Sequence, residues 1–215
     1  MTPNKEDYLK IIFELGGANQ KINNKQIVTG LSVSAASVSE MMSKLLKEGY
    51  IDHTPYQGAQ LTEAGLHEAS ILVRKHRLWE VFLVEHLGFS WNEVHDEAEV
   101  LEHVTSSNLA NHLEEYLNFP ANCPHGGVIP DKQGKIIESP LQTLVEMSVD
   151  TDVKIQRVLD DRELLDYLVT VGINIGDQCR ITEIGAYEGP ITLTKDGQVI
   201  QISYKAACNL FIQPL

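Results

Sequence analysis

The sequence of 215 residues has few cysteines and no long apolar run. Its three cysteines, Cys123, Cys179 and Cys208, are an odd number without the spacing of a disulfide framework, which predicts a reducing, cytoplasmic location. The N-terminal stretch is polar and lacks the apolar segment of a secretory signal. The longest apolar runs contain charges and are shorter than the ~20 residues that a membrane span needs. We therefore expect neither secretion nor a membrane partner.

Lysine and arginine are absent from residues 78–131, a stretch that holds ten acidic residues and five of the eight histidines. Residues 1–60 balance six lysines against six acids, so the whole net charge of −13 lies in the remainder. This charge excludes a protein that coats nucleic acid through bulk charge, although a small DNA-reading module is compatible with it. Because uncompensated carboxylates repel one another, either residues 78–131 form a solvated acidic face or a cation supplies the missing charge.

Residues 1–62 have the pattern of a winged helix-turn-helix. Apolar periodicity predicts helices over 7–15 and 24–30, and Ser34 caps a third helix that Gly49 closes. Two short extended pieces then flank a turn at residues 55–58, which predicts a hairpin. Three helices followed by a hairpin are typical of DNA-binding winged helices, in which the third helix enters the major groove. The alternative is an ordinary three-helix fragment of a larger helical protein.

The predicted third helix combines small residues, which allow close approach to base edges, with lysines that can meet phosphates. The candidate DNA-binding residues are Ser34, Ala35, Ala36, Ser37, Ser39, Lys44 and Lys47. The zero net charge of this region implies a modest non-specific affinity that depends on shape, dimerisation or an activating ligand.

The remainder of the chain changes from helical to β character. Helical patterns are followed by an irregular loop rich in proline and glycine, a short helical pattern, and from residue 150 a charged helix and several strands. The helices are predicted at 62–86, 91–105, 107–118, 141–149 and 162–171, and the strands at 178–184, 191–193 and 199–203. We therefore predict a mostly α fold with a β-barrel-like module, divided into domains at 1–62, 63–149 and 150–215.

One predicted helix presents a set of metal-ligating side chains. His95, Glu99, Glu102 and His103 are spaced i, i+4, i+7 and i+8, so they share one helical face. Imidazole and carboxylate ligands together suit manganese, iron or zinc better than calcium or copper(I). The absence of any basic partner in this stretch favours a bound cation over a solvated face.

Further candidate ligands flank this helix. His76 and Glu80 form another i, i+4 pair on the preceding helix. Cys123 and His125 enclose a proline, which stiffens the backbone between two potential ligands. Neither pair is specific alone, but both lie in or beside the acidic, histidine-rich stretch.

Four segments resemble the metal-dependent winged-helix repressors of the diphtheria toxin repressor and manganese transport regulator type. They are EDYLKIIFEL, SAASVSEMMSKLLKEGY, LTEAGLHEASILVRKHRLWEVFLVEHLGFSWNEVHDEAEVLEHVTS and FPANCPHGGVIP. The resemblance covers the whole chain and is greatest to the three-domain streptococcal manganese-responsive repressors of the ScaR and SloR kind. It implies a winged helix, a helical dimerisation and metal-binding domain, and a C-terminal SH3-like domain, also called FeoA-like.

The resemblance also implies two metal sites per subunit. The first combines Asp7 with Glu99, Glu102 and His103. The second combines Glu80 with Cys123 and His125, with one histidine and with one acid of the C-terminal module. The histidine is His76 or His95, and the acid is Asp160 or the adjacent Asp161.

Departures from the family pattern bear on the metal. Asp7 and Glu99 stand where the iron-type proteins carry a methionine and a cysteine, and hard oxygen ligands favour Mn²⁺ over Fe²⁺. Lys10 stands where the short manganese regulators place a glutamate, which argues against their two-metal cluster. Cys123 is a softer ligand, so Zn²⁺, Cd²⁺ or Fe²⁺ can substitute for Mn²⁺.

The sequence thus predicts a homodimeric, Mn²⁺-activated transcriptional repressor that binds an inverted repeat in double-stranded DNA and controls manganese uptake genes. No small-molecule substrate and no enzymatic activity are expected. Three alternatives remain open: a regulator that responds mainly to Fe²⁺ or Zn²⁺, a winged-helix sensor of an organic ligand, and a metallohydrolase with the same cluster. The hydrolase would need an open coordination position and a separate general base.

Overall fold

The computed structural model describes residues 1–54, 57–136 and 141–215. The predicted turn residues Pro55 and Tyr56 and the end of the proline-rich loop lie outside the described residues. Two compact units are distinguished. The first comprises Met1–His76, Glu99–Tyr116 and Ile129–Ile137, and the second Arg77–Ala98, Leu117–Val128 and Glu138–Leu215. Within the described ranges no helix is long and apolar enough to cross a membrane.

The N-terminal part of the first unit is a three-helix winged helix. It contains α1 (Pro3–Glu14), α2 (Asn24–Leu31), α3 (Ala35–Lys47), β1 (Ile51–Thr54) and β2 (Gly58–Leu61). The two strands pair antiparallel as the wing. Asn23 caps α2 in a capping box with Gln26, and the Ser34 hydroxyl accepts from the Ser37 amide to cap α3. The fold class predicted for this region is therefore confirmed.

The core of this winged helix is built from apolar side chains of the three helices, of the segment before α2 and of β1. Its members, all almost fully buried, are Leu9, Ile12, Ile22, Ile27, Val38, Leu45 and Ile51. The wing is fastened to this core at Gly58, which has φ +109°. A Cβ atom there would lie 2.3 Å from the Ile22 carbonyl oxygen, so only glycine allows the close approach.

Three further helices follow, α4 (Glu63–Leu87), α5 (Val94–Val104) and α6 (Ser107–Tyr116). The division between the units falls within α4, after His76, and within α5, after Ala98. The Ser106 hydroxyl accepts from the Leu109 amide and so caps α6.

The second unit contains a six-stranded antiparallel sheet of order β3-β8-β4-β5-β6-β7. Its strands are β3 (Gln142–Thr143), β4 (Asp152–Val158), β5 (Gln178–Ile184), β6 (Ile191–Lys195), β7 (Gln198–Ile202) and β8 (Leu210–Pro214). Helix α7 (Arg162–Val171) and the short α8 (Tyr204–Ala207) complete the module. Buried aliphatic side chains of α7, among them Leu165 and Leu168, join those of the strands in one core. The predicted C-terminal β module is confirmed.

Several predicted elements differ from the structure. Residues 141–149 form β3 and a 3₁₀ turn, Leu144–Glu146, rather than a helix, because β3 pairs with β8 and Glu146 accepts from the Thr143 amide at 2.6 Å. Helix α5 begins at Val94 instead of residue 91, because residues 91–93 form a turn. The Glu93 amide donates to the Ser90 carbonyl, and the Ser90 hydroxyl donates to the Glu93 carboxylate. Helix α1 begins four residues earlier than predicted, and α6 ends at Tyr116.

Candidate metal centres and DNA-reading helix

A first cluster of potential ligands lies within the first unit. It contains Asp7 of α1 and Glu99, Glu102 and His103 of α5, whose ligand atoms all lie within 4.8 Å of one another. The α5 residues are spaced i, i+3 and i+4, which places them on one face of the helix. Long-range packing of α1 then adds the aspartate.

The geometry of this first cluster fits a cation. Nε2 of His103 lies 2.9 Å from Oδ1 of Asp7 and 3.6 Å from Oε1 of Glu102. Both carboxylate oxygens are buried, and neither makes a hydrogen bond within the described part of the chain. Because a buried carboxylate oxygen without a hydrogen bond is costly, these atoms favour a positive charge among them.

Burial and the neighbouring charges together raise the pKa of Asp7. Desolvation by burial raises the pKa of its carboxyl above the usual value. His103 lowers that pKa and the carboxylates of Glu99 and Glu102 raise it again. A divalent cation would relieve this mutual repulsion, so the raised pKa is consistent with a ligand position.

Glu6 orients the histidine of the first cluster. Its Oε2 lies 2.7 Å from Nδ1 of His103, and both side chains are largely buried. Since a carboxylate accepts, Nδ1 carries the hydrogen and Nε2 is directed towards Asp7. A carboxylate behind a ligating imidazole is a common support in metal sites.

Lys10 and His76 pack beside the same carboxylates. The Lys10 ammonium is almost fully buried and lies 2.5 Å from Oε2 of Glu99 and 2.8 Å from Oε2 of Glu102. Burial alone would lower the pKa of Lys10, but the carboxylates of Glu102, Glu14 and Glu99 raise it well above its usual value. Nδ1 of His76 lies 2.6 Å from Oε2 of Glu102.

A second cluster lies within the second unit. Glu80 of α4 and Cys123 and His125 of the following loop are all buried, and their ligand atoms lie within 4.8 Å of one another. Nδ1 of His125 is 2.9 Å from Oε1 of Glu80. Burial raises the pKa of the Cys123 thiol. A thiol, an imidazole and a carboxylate in such a space are a donor set for a transition metal.

A backbone carbonyl on the side of the ring opposite Glu80 fixes the orientation of His125. Its Nε2 lies 2.6 Å from the Trp91 carbonyl oxygen, which can only accept, so Nε2 carries a hydrogen and Nδ1 faces Glu80. Burial alone would lower the pKa of His125, but the Glu80 carboxylate raises it to about 12. In the absence of a cation, this histidine is therefore a protonated partner of Glu80.

Asp160 is the acid that faces the second cluster. Its Oδ1 lies 3.6 Å from Nδ1 of His125, and its Oδ2 lies 2.8 Å from Nδ1 of His95. The Asp161 side chain instead caps α7 by accepting from the Leu164 amide at 2.9 Å. The geometry thus favours Asp160 over Asp161 as the acid of this cluster. It also pairs His95 with Asp160, whereas the helical spacing predicts that His95 shares one face with Glu99, Glu102 and His103.

The loop that carries Cys123 and His125 is held against β4. The Val158 amide donates to the His125 carbonyl at 3.0 Å. Gly126 has φ +82°, and a Cβ there would lie 2.1 Å from the Gln156 carbonyl oxygen. The Arg77 guanidinium donates to the Val128 carbonyl. These contacts hold the backbone of the loop that carries the two candidate ligands.

The candidate DNA-reading residues all lie on α3 or at its start. The side chains of Ser34, Ala35, Ala36, Ser37, Ser39, Lys44 and Lys47 are exposed. The hydroxyls of Ser34 and Ser37 are 2.9 Å apart, and the Lys44 ammonium lies 2.7 Å from Glu40. The face is accessible, and its role in DNA contact stays a prediction.

Basic side chains from elsewhere in the chain neutralise some of the acidic residues of the stretch 78–131. The ammonium of Lys10 pairs with Glu99 and Glu102, and Arg74 pairs with Glu114 at 3.0 Å. Arg162 pairs with Asp96. The sequence gives no sign of these pairings because the partners are separated by 40 to 92 positions. For Glu6, adjacency to Asp7 is the one available signal.

Comparison with known proteins agrees with the order of the domains along the chain. Residues 1–59 match the N-terminal DNA-binding domain of the iron-dependent repressors, residues 62–131 match their metal-binding and dimerisation domain, and residues 142–214 match the FeoA domain. The iron-dependent repressor IdeR of Mycobacterium bovis is 35% identical over 125 residues, which are 58% of this chain and 54% of that protein. The match thus spans about half the length of this curated relative.

Solved structures match over the full chain. The manganese regulator SloR is 44% identical with a TM-score of 0.88, and the alignment covers 100% of both chains. ScaR with bound Zn²⁺ is 41% identical with a TM-score of 0.88, and the alignment covers 99% of this chain and 100% of that one. Because these relatives are transcriptional repressors, the hydrolase alternative has no support. This chain belongs to the iron-dependent repressor family of metal-dependent, DNA-binding regulators, which includes the diphtheria toxin repressor and the manganese regulators.

Proposed function

We propose that the protein is a Mn²⁺-activated, homodimeric transcriptional repressor. The observation that carries the proposal is the first cluster, in which Asp7 of the winged helix meets Glu99, Glu102 and His103 of α5. Three carboxylates and one imidazole are hard or borderline donors, which Mn²⁺ accepts readily. The thioether and thiol that would favour a softer ion are absent from this donor set.

The charges of the first cluster support one divalent ion. The three carboxylates carry three negative charges, and the ammonium of Lys10 compensates one of them. With His103 as a neutral ligand, a divalent ion balances the remainder. This balance offsets the electrostatic cost of burying the Glu102 carboxylate.

The proposed switch acts on α1. A bound cation would supply two positive charges and so offset the repulsion between the carboxylates of α1 and α5. Asp7 then fixes α1 against α5, and Glu6 keeps His103 oriented from the other side of its ring. Through its buried residues Leu9 and Ile12, α1 also carries the core on which α3 packs. The arrangement that binds the cation better is favoured by mass action, which shifts the population towards the DNA-competent state.

The homodimer is supported by apolar side chains that α5 and α6 expose. Val100 and Val104 on α5 are 67% and 77% exposed, and Leu109 on α6 is 46% exposed. Exposed apolar positions one helical turn apart are typical of an interface. A two-fold dimer would present two α3 helices to an inverted repeat whose half-sites are ~34 Å apart.

The second cluster is proposed as a supporting site of softer character. Glu80, Cys123, His125 and Asp160 would be its ligands, and His95 would complete or support the set. A thiolate favours Zn²⁺ or Cd²⁺ over Mn²⁺. Cys123 is therefore the observation that favours a regulator responding to Zn²⁺. The experiment below distinguishes such a regulator from one that responds to Mn²⁺.

The target genes and the location follow from the same proposal. SloR is a manganese regulator, and genes for manganese uptake are accordingly the expected targets here. A repressor acts where the DNA is, so the cytoplasm is the proposed location.

The test is fluorescence anisotropy with labelled DNA from upstream of manganese uptake genes. Metal-free protein should bind this DNA weakly. Mn²⁺ should strengthen the binding, with two protein chains bound to each pair of half-sites. Scrambled DNA is the control. Stronger activation by Zn²⁺ or Fe²⁺ than by Mn²⁺, at metal concentrations buffered to cellular values, would favour the alternative regulator.

A further inference from the structure

The ammonium of Lys10 lies among the carboxylates of the first cluster. The Lys10 side chain is 5% exposed, and its Nζ lies 2.5 Å from Oε2 of Glu99 and 2.8 Å from Oε2 of Glu102. Nδ1 of His76 is 3.0 Å away. Three atoms of types that ligate metals therefore surround one nitrogen at hydrogen-bond distances.

Glu102 uses its two oxygens for different partners. Its Oε2 meets the Lys10 ammonium, whereas its Oε1 is buried, lies 3.6 Å from Nε2 of His103 and makes no hydrogen bond among the described residues. A carboxylate with one oxygen on each of two cations is a bridging ligand, and two-metal sites place their ions about 3.5–4 Å apart. Here one of the two cations belongs to the chain itself.

We propose that the Lys10 ammonium fills the second cation position of the first cluster, so that the cluster accepts one divalent ion and not two. This inference rests on the proposed function, because it assumes that Asp7, Glu99, Glu102 and His103 bind a metal ion. The tethered ammonium cannot leave, and it occupies the carboxylate oxygens that a second ion would need. It also keeps Glu99 and Glu102 in place before metal arrives.

A purely structural role for Lys10 predicts a different result. If Lys10 served only to neutralise buried carboxylates, replacing it would lower stability and metal affinity without changing the number of ions bound. The stoichiometry therefore separates the two roles, and it is read directly from metal binding without any DNA.

The experiment counts bound Mn²⁺ per chain from the loss of the solution Mn²⁺ EPR signal during titration. Every protein carries His125→Asn, so that the second cluster does not contribute ions. The variants are Lys10→Glu, Lys10→Arg and, as a matched control, Lys5→Glu. Lys5 also lies on α1, but it pairs with Glu48 at the surface.

One Mn²⁺ per chain is expected for the parent protein, Lys10→Arg and Lys5→Glu, and one additional Mn²⁺ for Lys10→Glu. The additional ion should also give the low-temperature EPR spectrum of a spin-coupled pair. Two ions in the parent protein, or one ion in a folded Lys10→Glu variant, would overturn the role of Lys10. No ion in the parent protein would overturn the proposed function as well. If Lys10→Glu fails to fold, Lys10→Gln, which removes the charge without adding a carboxylate, replaces it: a second Mn²⁺ supports the role of Lys10, and one Mn²⁺ overturns it.

Discussion

His103 and Glu6 are joined through the side of the imidazole ring that faces away from Asp7, with Nδ1 of His103 2.7 Å from Oε2 of Glu6. The glutamate therefore fixes the tautomer in which Nε2 presents its lone pair to the first cluster. Asp7 and Glu6 are consecutive residues of α1, so one helical segment supplies both a proposed ligand and the support of another proposed ligand.

Replacing Glu6 by glutamine should weaken Mn²⁺ binding at the first cluster about 10–100-fold, the usual cost of losing support behind a ligand. An amide can still accept, but it holds the imidazole less firmly and can also present its NH₂ group. Isothermal titration of metal-free protein measures the effect. Glu97→Gln, an exposed change on α5, is the control. Equal affinities for Glu6→Gln and wild type would contradict the orienting role.

Loss of a ligand from the first cluster should abolish the metal response of DNA binding. Asp7→Ala and Glu99→Ala are each expected to fold and dimerise, yet to lose Mn²⁺-dependent binding to the operator at limiting Mn²⁺. Each removes a charged donor from an otherwise complete set. Anisotropy titrations check the binding and sedimentation checks the dimer. Wild-type operator affinity in either variant would remove that residue from the site.

Cys123→Ser should reduce Zn²⁺ affinity at the second cluster far more than Mn²⁺ affinity. A hydroxyl replaces a thiolate, and soft donors contribute more to the binding of Zn²⁺ than to that of Mn²⁺. Cys179→Ser is the matched control, because Cys179 is also buried but belongs to the β-module core. Equal losses for the two metals would count against Cys123 as a ligand.

Metal binding at the second cluster should release about two protons per ion at pH 7. The raised pKa of the Cys123 thiol and the pKa of about 12 for His125 keep both groups protonated until a metal displaces the protons. The apparent affinity should therefore rise roughly 100-fold per pH unit near neutrality. Titration calorimetry in two buffers of different ionisation enthalpy counts the protons, and a count below one would contradict the assignment.

The raised pKa of His125 also affects the stability of the metal-free protein. The folded-state pKa of His125 lies above its ordinary value of 6.5, so the His125–Glu80 pair contributes fully below about pH 6.5. That contribution is lost as the pH rises through about 12.

Lys44→Ala should weaken binding to all DNA sequences alike and reduce the salt slope by about one unit, because one phosphate contact is lost. Ser37→Ala should leave the slope unchanged and cost about 1 kcal/mol at one position per half-site. Salt titrations on operator and scrambled DNA, with saturating Mn²⁺, compare the two. If Ser37→Ala affected both DNAs equally, α3 would not be the reading helix in this register.

The starts of α2 and α3 and the grouping of the candidate ligands on α5 could be predicted because their signals are local. Asn23 and Ser34 cap helices through amides three residues away, and Glu99, Glu102 and His103 lie within one and a half turns of α5. The placement of Lys10 depends on partners 89 and 92 positions away, which no local pattern records.

The strands β4 and β8 were not predicted, because they too depend on partners that are distant in the sequence. Their alternation of apolar with charged or amide side chains is weak, and they are stabilised by pairing with each other across more than fifty positions. Residues 141–149 have a helical apolar pattern, but pairing of β3 with β8 overrides it. In both cases the tertiary partner decides the structure of a segment whose own preference is slight.

The attachment of the loop to β4 limits how the chain can change in length. The Val158 amide holds the His125 carbonyl, and Asp160 follows two residues later. The pairing of β4 with β8 already contains a register shift between Ile155 and Arg157. A one-residue insertion or deletion at the end of β4 would reverse which face each later side chain occupies and carry Asp160 away from His125. Natural variants of this protein should therefore differ by substitution between residues 153 and 160, and by changes of length only elsewhere.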